Sequence, residues 1–244
     1  MIPTLDLDTF LHHFRQQWRL DQHVSLIGPT GRGKTYIARK ILAQRPGDSV
    51  IMCPKGPDKT MADFGHRITK WPPPWLTPER DGKTGQWILR LEPPVDKHED
   101  LAKVRVAFAR AMRDGFRKGN MTQYIDELQV AADPKMMGLG KLIEANILLG
   151  RSRNLSIVSS IQVPRWAPRA AYDQASHVLL WRQRDRPAMQ RIAEISGVDT
   201  RLVQSEVRKL AFHSFLWVDT QRDKLFIVEG PKDCEHCRLG GIRG

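Results

Sequence analysis

The chain has 244 residues, 41% of them hydrophobic and 27% charged, with 39 Lys and Arg against 27 Asp and Glu for a formal net charge of +12. Those proportions exclude a disordered basic tail, and the length suffices to bury a core without disulfide staples. The longest uncharged run, Asn154–Pro164, is far short of the about 20 apolar residues of a membrane-spanning helix. The acidic start MIPTLDLDTF is no signal peptide, and three cysteines fit a reducing interior.

Residues 5–20 read as an amphipathic helix, with Leu7, Leu11, Phe14 and Trp18 on one face, packed on its own domain. Gln22–Ile27 is an apolar strand running into a glycine-rich turn, and Tyr36–Ala43 continues as helix until Pro46-Gly47. Ser49–Cys53 is a second strand. Residues 54–86 read as an insertion centred on Trp71-Pro72-Pro73-Pro74-Trp75, whose consecutive prolines exclude helix and central strand. Trp87–Leu91 is a further strand. In the helix predicted over 97–118, Leu101, Val104, Phe108 and Ala111 line one face and Lys103, Arg110, Arg113 and Arg117 another.

Strands follow at Thr122–Ile125, Leu155–Ile161, Val178–Trp181, Phe212–Val218 and Leu225–Val228, with helices at 137–150, 187–196 and 199–209. The last two strands flank the polar turn Thr220–Asp223 and read as a hairpin. Apolar strands alternating with helices predict an α/β fold, a mostly parallel sheet covered on both faces. The expected organisation is an N-terminal helix over 1–21, one domain over 22–230 and a tail over 231–244.

Half of the charge excess lies in residues 151–191, where eight arginines (Arg151, Arg153, Arg165, Arg169, Arg182, Arg184, Arg186, Arg191) face two acids, Asp173 and Asp185. None of the eight is Lys, which favours phosphate, because the guanidinium fork pairs bidentately with phosphate oxygens. A nucleic acid is the expected partner, with an anionic membrane surface the alternative.

Gly28-Pro29-Thr30-Gly31-Arg32-Gly33-Lys34-Thr35 matches G-x-x-x-x-G-K-[ST] between a strand and a helix, the context in which backbone N–H groups cradle phosphates. All eight residues are therefore expected to bind nucleotide, with Lys34 on the β- and γ-phosphates and the Thr35 hydroxyl on Mg²⁺. Tyr124-Ile125-Asp126-Glu127 places two carboxylates at the end of an apolar strand. Asp126 is expected to hold Mg²⁺ through water and Glu127 to act as general base on the attacking water. ATP with Mg²⁺ is the expected pair. A small-molecule kinase needs no such Glu, and a GTPase needs an N-K-x-D motif that the chain lacks.

GPTGRGKT, YIDE, the arginine pair of LLGRSRN and the strand LSIVSSIQVP, in that order over residues 22–230, give a chain that resembles the FtsK–HerA superfamily of DNA-translocating P-loop ATPases. The resemblance implies a RecA-like fold of the ASCE class, ATP hydrolysis and a pentameric or hexameric ring around double-stranded DNA. It further implies that Gln162, at the tip of its strand, senses the γ-phosphate, and that Arg151 or Arg153 reaches the neighbouring subunit's nucleotide. This strand ends Ile161-Gln162-Val163-Pro164, where the family often has T-Q-R-P. The length, without room for membrane segments, a β-barrel or a winged helix, looks like a bare viral or phage packaging motor. Such a motor would work in the host cytoplasm or the virion and meet a portal or membrane-vertex protein.

DNA contacts are expected from Lys55 and Lys59, Lys135, and Arg165 and Arg169, in three loops that leave the C-terminal edge of the sheet. Alternatives from other classes are a single-strand-binding RecA-like ATPase or helicase loader, and a small-molecule kinase. Cys234, His236 and Cys237 have zinc-like spacing but need a fourth ligand, from Cys53, His213 or a second subunit. Asp63-Phe64-Gly65 echoes a protein kinase without the H-R-D loop that would give it meaning. The tryptophans of the Pro-rich segment pin it to the surface or stack on bases.

Overall fold

Strands that are apolar on both faces must be covered on both, and the alternation of side chains along them decides which cover each residue meets. The computed structural model describes residues 2–54, 59–73, 87–94 and 101–231. It opens with β1 (Thr4–Leu5), α1 (Leu7–Gln17), β2 (His23–Ile27), α2 (Lys34–Ala43), β3 (Asp48–Met52), β4 (His66–Ile68) and β5 (Ile88–Leu91). Next come α3 (Leu101–Lys118), β6 (Met121–Ile125), α4 (Leu128–Ala132), α5 (Gly140–Leu149), β7 (Leu155–Ile161), α6 (Ala170–Asp173) and β8 (Ala175–Trp181). The chain closes with α7 (Arg186–Ser196), α8 (Thr200–Lys209), β9 (Phe215–Asp219) and β10 (Lys224–Val228).

Among the described residues the strands form one sheet in the order β1-β10-β9-β8-β2-β7-β6-β3-β5-β4. From β8 to β4 every pairing is parallel, and β9 alone runs antiparallel to both its neighbours. The mostly parallel α/β sheet and the C-terminal hairpin are as expected. On β8, Leu179 and Trp181 enter the core beneath α1 and α2, while Val178 and Leu180 enter the one beneath α3, α5, α7 and α8. Helix α1, capped by Asp6 on the Thr9 amide at 2.8 Å, buries Phe10 and Phe14, and Trp18 just after it is buried too. Phe10 meets Trp217 of β9 edge-on at 5.1 Å. Each such phenylalanine contributes about 2 kcal/mol by leaving water.

The sheet has two more strands than the sequence predicts. β1 lies parallel to β10 at one rim, and β4, inside the presumed insertion, extends the opposite rim by pairing with β5. At two and three residues, neither carries enough period to read. Gly65 (φ +77) brings the chain so close to β5 that a Cβ there would lie 2.7 Å from the Ile88 carbonyl. Trp71 is buried and donates to Asp114 of α3 at 2.9 Å. Trp75 lies outside the described residues. β8 begins three residues before the expected Val178 and β9 three after the expected Phe212. The second shift arises because Ala211–Ser214 forms a turn, closed by Ser214 N–H on the Ala211 carbonyl, that carries Phe212 and His213 to the P-loop.

Candidate active site

The parallel strands deliver their C-terminal ends to one edge, where ligands of open α/β folds gather. β2 ends at Ile27, and Gly28 N–H then bonds the Ile161 carbonyl at 3.0 Å, tying the P-loop to the end of β7. A Cβ on Gly28 would lie 2.6 Å from Cβ of Trp181, so no larger residue fits. Gly31 (φ +76) and Gly33 (φ +93) take the left-handed backbone that turns successive amides inward. Helix α2 starts at Lys34 rather than Tyr36, with no side chain capping it, so its first amides and its dipole serve the turn. Lys34 is buried, and its Nζ donates to the Gly28 and Pro29 carbonyls at 2.7 and 2.9 Å.

The acidic pair follows β6, two strands from β2. Asp126 N–H bonds the Met52 carbonyl at 3.0 Å, and Asp126 Oδ1 accepts from the Tyr124 hydroxyl at 3.0 Å. Burial, and after it the Asp126 charge, raises the Tyr124 pKa and keeps that hydroxyl protonated. Glu127 is 4% exposed and sits at φ 48, ψ 57, a left-handed conformation that costs a non-glycine residue of order 1–3 kcal/mol and marks functional sites. Its Oε1 accepts from Gln162 Nε2. Gln162 Oε1 accepts from Thr30 Oγ1 at 2.8 Å, and Gln162 N–H from the backbone reaches Gln129 Oε1 at 3.4 Å. A side-chain relay thus runs from the P-loop through the tip of β7 to the acid.

These groups line a cavity of about 300 Å³ together with Thr35, Tyr36, Thr60, Ser160 and His213. The Thr35 hydroxyl and the Asp126 carboxylate offer the hard oxygens that suit Mg²⁺, and the amides, Lys34 and helix terminus suit phosphate. The sequence suggests His213 only as a candidate zinc ligand, because nothing local ties it to a loop 181 residues away. Its Nδ1 lies 3.3 Å from the Arg32 carbonyl, which only accepts, so in the neutral ring Nε2 presents a lone pair. That nitrogen is buried without a hydrogen-bond partner among the described residues.

Other expected residues lie elsewhere. Arg151 and Arg153 occupy the short 3-10 turn before β7, at the opposite edge and about 20 Å along the strand from Gln162. Arg151 donates to the Gln174 carbonyl at 2.8 Å, and the Arg153 guanidinium lies 5.7 Å from the Phe116 ring. Neither reaches its own P-loop. Lys59, Lys135, Arg165 and Arg169 are exposed beyond the C-terminal ends of β3, β6 and β7. Arg165 stacks on Trp166 at 5.1 Å and Arg169 pairs with Asp173 at 3.3 Å. Lys55, Cys234, His236 and Cys237 lie outside the described residues. Among the described residues no group of His, Cys, Asp and Glu could by itself hold a metal ion, and no helix is long and apolar enough to cross a membrane.

No model of a known family and no curated protein matches this sequence. Solved structures do. The genome packaging NTPase B204 of Sulfolobus turreted icosahedral virus 2, in complex with sulfate, matches 88% of this chain and 98% of its own at a TM-score of 0.58 and 17% identity. B204 has also been solved with AMP, AMPPCP and ATP-gammaS. VirB4 of Thermoanaerobacter pseudethanolicus matches 81% of this chain and 86% of its own, with a TM-score of 0.57 and 10% identity. The cytoplasmic domain of the type VII secretion ATPase EccC from Thermomonospora curvata matches 83% of this chain and 24% of its own, at 0.51 and 13%. At such identities the likeness is one of fold, a mostly parallel α/β sheet that this chain shares with these P-loop ATPases.

Proposed function

We propose that the protein is an ATP-driven translocase of double-stranded DNA, the genome-packaging motor of a virus or phage. The relay Thr30–Gln162–Glu127 carries this reading, since it connects the place of the γ-phosphate to a buried, strained carboxylate. In it Lys34 and the amides of Gly28 to Thr35 hold the phosphates, and Glu127 takes the proton of the attacking water. Gln162 orients Glu127 and reports the γ-phosphate through Thr30. Thr35 and Asp126 would hold Mg²⁺, which would supply charge neutralisation on the phosphate oxygens.

Residues 22–230 are the motor domain, working as a pentameric or hexameric ring in which Arg151 or Arg153 serves the neighbouring subunit. Lys55, Lys59, Lys135, Arg165 and Arg169 touch the DNA backbone, and a portal or membrane-vertex protein receives the motor in the host cytoplasm or on the virion. The likeness of fold to B204, a genome packaging NTPase, supports packaging over the alternatives. The deciding measurement is phosphate release with duplex DNA, with single strands and with no DNA. Duplex should stimulate most. Turnover indifferent to DNA would overturn the translocase reading, and stimulation by single strands alone would favour the recombinase-like one.

A further inference from the structure

A second cavity, of about 790 Å³, shares the P-loop as a wall with the nucleotide site. Pro29 and Arg32 form that wall, and Arg182 and Arg184 enter from the loop leaving β8, with Arg186 from the start of α7 and Arg208 from α8. Five guanidinium groups therefore converge on one space, and among the described residues no acid lines it. Arg182, Arg184, Arg186 and Arg208 are exposed, and none has an ion-pair partner among the described residues. Asp185, in their midst by sequence, is turned to the Ala188 amide as the cap of α7, at 3.1 Å. Arg32 is held in place by the Phe212 ring, 4.5 Å away. Burial, and then the Arg182 charge, lowers its pKa.

Like charges gathered without a counterion repel, and a fold that gathers them beside a binding loop is built for an anion. Arginine in every position favours phosphate, which the planar fork grips with two parallel hydrogen bonds. Five positive charges exceed what one phosphate balances, and among the described residues no aromatic side chain lines the cavity to stack a free nucleotide's base. A smaller cavity of about 230 Å³ beside it holds Arg165, Arg169 and Arg191 and also touches Asp185 and the start of α7, but there Asp173 pairs with both Arg169 and Arg191, at 3.3 and 2.6 Å. The unpaired arginines are thus gathered in the larger cavity.

We propose that the arginine cavity seats the phosphodiester backbone of double-stranded DNA, directly against the P-loop. The proposal rests on the translocase reading and deepens it. The contact places a DNA phosphate on Arg32, between the two left-handed glycines Gly31 and Gly33, so the strand being moved and the nucleotide being split share one loop.

The test is fluorescence anisotropy of a labelled mixed-sequence duplex over a series of KCl concentrations. It compares wild type with the triple variant Arg182→Gln, Arg184→Gln, Arg208→Gln. Each exposed arginine removed should make the slope of log affinity against log salt shallower by about 0.9, so by about 2–3 in all, with affinity down about tenfold or more. Binding of a fluorescent ATP analogue should stay at the wild-type level, which also reports that the variant folds. Should the Gln triple not fold, the Arg→Lys triple at the same positions serves. It should keep the salt slope and lose affinity about threefold or more through the missing fork. Wild-type affinity and slope in the folded variant would remove DNA from this cavity and leave the translocase reading standing. Lost ATP-analogue binding with intact duplex binding would assign the cavity to the nucleotide. A wild-type protein that binds no duplex would overturn both.

Discussion

Gln162 and Glu127, 35 residues apart in sequence, meet side chain to side chain, the Gln162 amide donating to the Glu127 carboxylate while its own oxygen accepts from Thr30. The hydrogen bond fixes where the carboxylate points, and a general base acts only within hydrogen-bond reach of its proton. Glu127→Gln should therefore bind ATP with Mg²⁺ and lose about 10²–10⁴ in turnover. Gln162→Ala should lower kcat about tenfold or more at unchanged nucleotide affinity. Steady-state phosphate release beside titration with a fluorescent nucleotide separates the two effects. Near-normal turnover by Glu127→Gln would take Glu127 out of the mechanism.

The strain at Glu127 yields a second expectation. A glycine adopts φ 48 without penalty, and the substitution also removes a carboxylate that is 4% exposed. Glu127→Gly should thus abolish turnover while raising Tm by about 2–4 °C, the shift that about 1 kcal/mol gives in a chain of this size. A lowered Tm would mean that the clasp with Gln162 supports the fold more than the backbone strains it.

Arg45 is 1% exposed and has no carboxylate within bonding distance among its partners. Its fork instead donates to Thr122 Oγ1 at 3.0 Å, to the Trp18 and Arg19 carbonyls at 3.2 and 2.8 Å, and to Ser156 Oγ. It also lies over the Trp18 ring at 3.9 Å. These contacts join the end of the P-loop helix to β6, β7 and the segment after α1. Lysine keeps the charge but not the fork, so Arg45→Lys should cost about 2 kcal/mol or more, lowering Tm by about 4–8 °C. An unchanged melting curve would show that the neighbouring groups satisfy one another without it.

The candidate site was legible because the residues that suit phosphate and Mg²⁺ are contiguous: Gly28 to Thr35 on one turn, Asp126 and Glu127 at one strand end. The central strands were legible because burial on both faces makes them short apolar runs, as in β7 and β8. The rims were not, since β1 and β4 owe their pairing to neighbours far along the chain rather than to any pattern of their own. His213 and the arginine cavity were hidden for the same reason. Arg182, Arg184 and Arg186 stood out as charge, but only the turn after α8 and the P-loop bring Arg208 and Arg32 beside them.

Two buried histidines should make the protein sensitive to acid. His23 accepts from Ile157 N–H at Nδ1 and donates to the Ile147 carbonyl from Nε2, at 3.0 and 2.9 Å. His177 accepts from Trp217 Nε1 at 3.4 Å. Burial above all pushes both down to about 4 from 6.5, with Arg151 adding to the effect at His23 and Asp219 opposing it at His177. The unfolded chain takes up these protons as pH falls below about 6.5 and the folded chain does not. Stability is therefore full above that pH and falls by up to about 1.4 kcal/mol per unit for each histidine down to pH 4. Urea midpoints should be flat above pH 7 and drop steeply below 6. His23→Gln should reduce the slope, and a midpoint constant from pH 7 to 5 would mean that both rings are protonated in the folded state.

Arg151 and Arg153, placed where β7 begins, lie at the edge of the sheet opposite to their own P-loop. A ring built from one repeated head-to-tail contact brings two different surfaces of neighbouring subunits together, and the proposed motor needs this edge to meet the next subunit's nucleotide. An arginine supplied in trans stabilises charge on the transferred phosphoryl and is worth about 10³–10⁵ in rate. The double variant Arg151→Ala, Arg153→Ala should accordingly bind ATP and fail to turn it over, as Glu127→Gln does for another reason. Mixed together, the two inactive proteins should recover part of the activity, because some interfaces then pair an intact Glu127 with an intact arginine. Absence of recovery in mixtures shown to co-assemble would count against a role across the interface. Full activity of the arginine variant alone would leave Arg151 its bond to the Gln174 carbonyl and Arg153 its contact with Phe116 as their whole purpose.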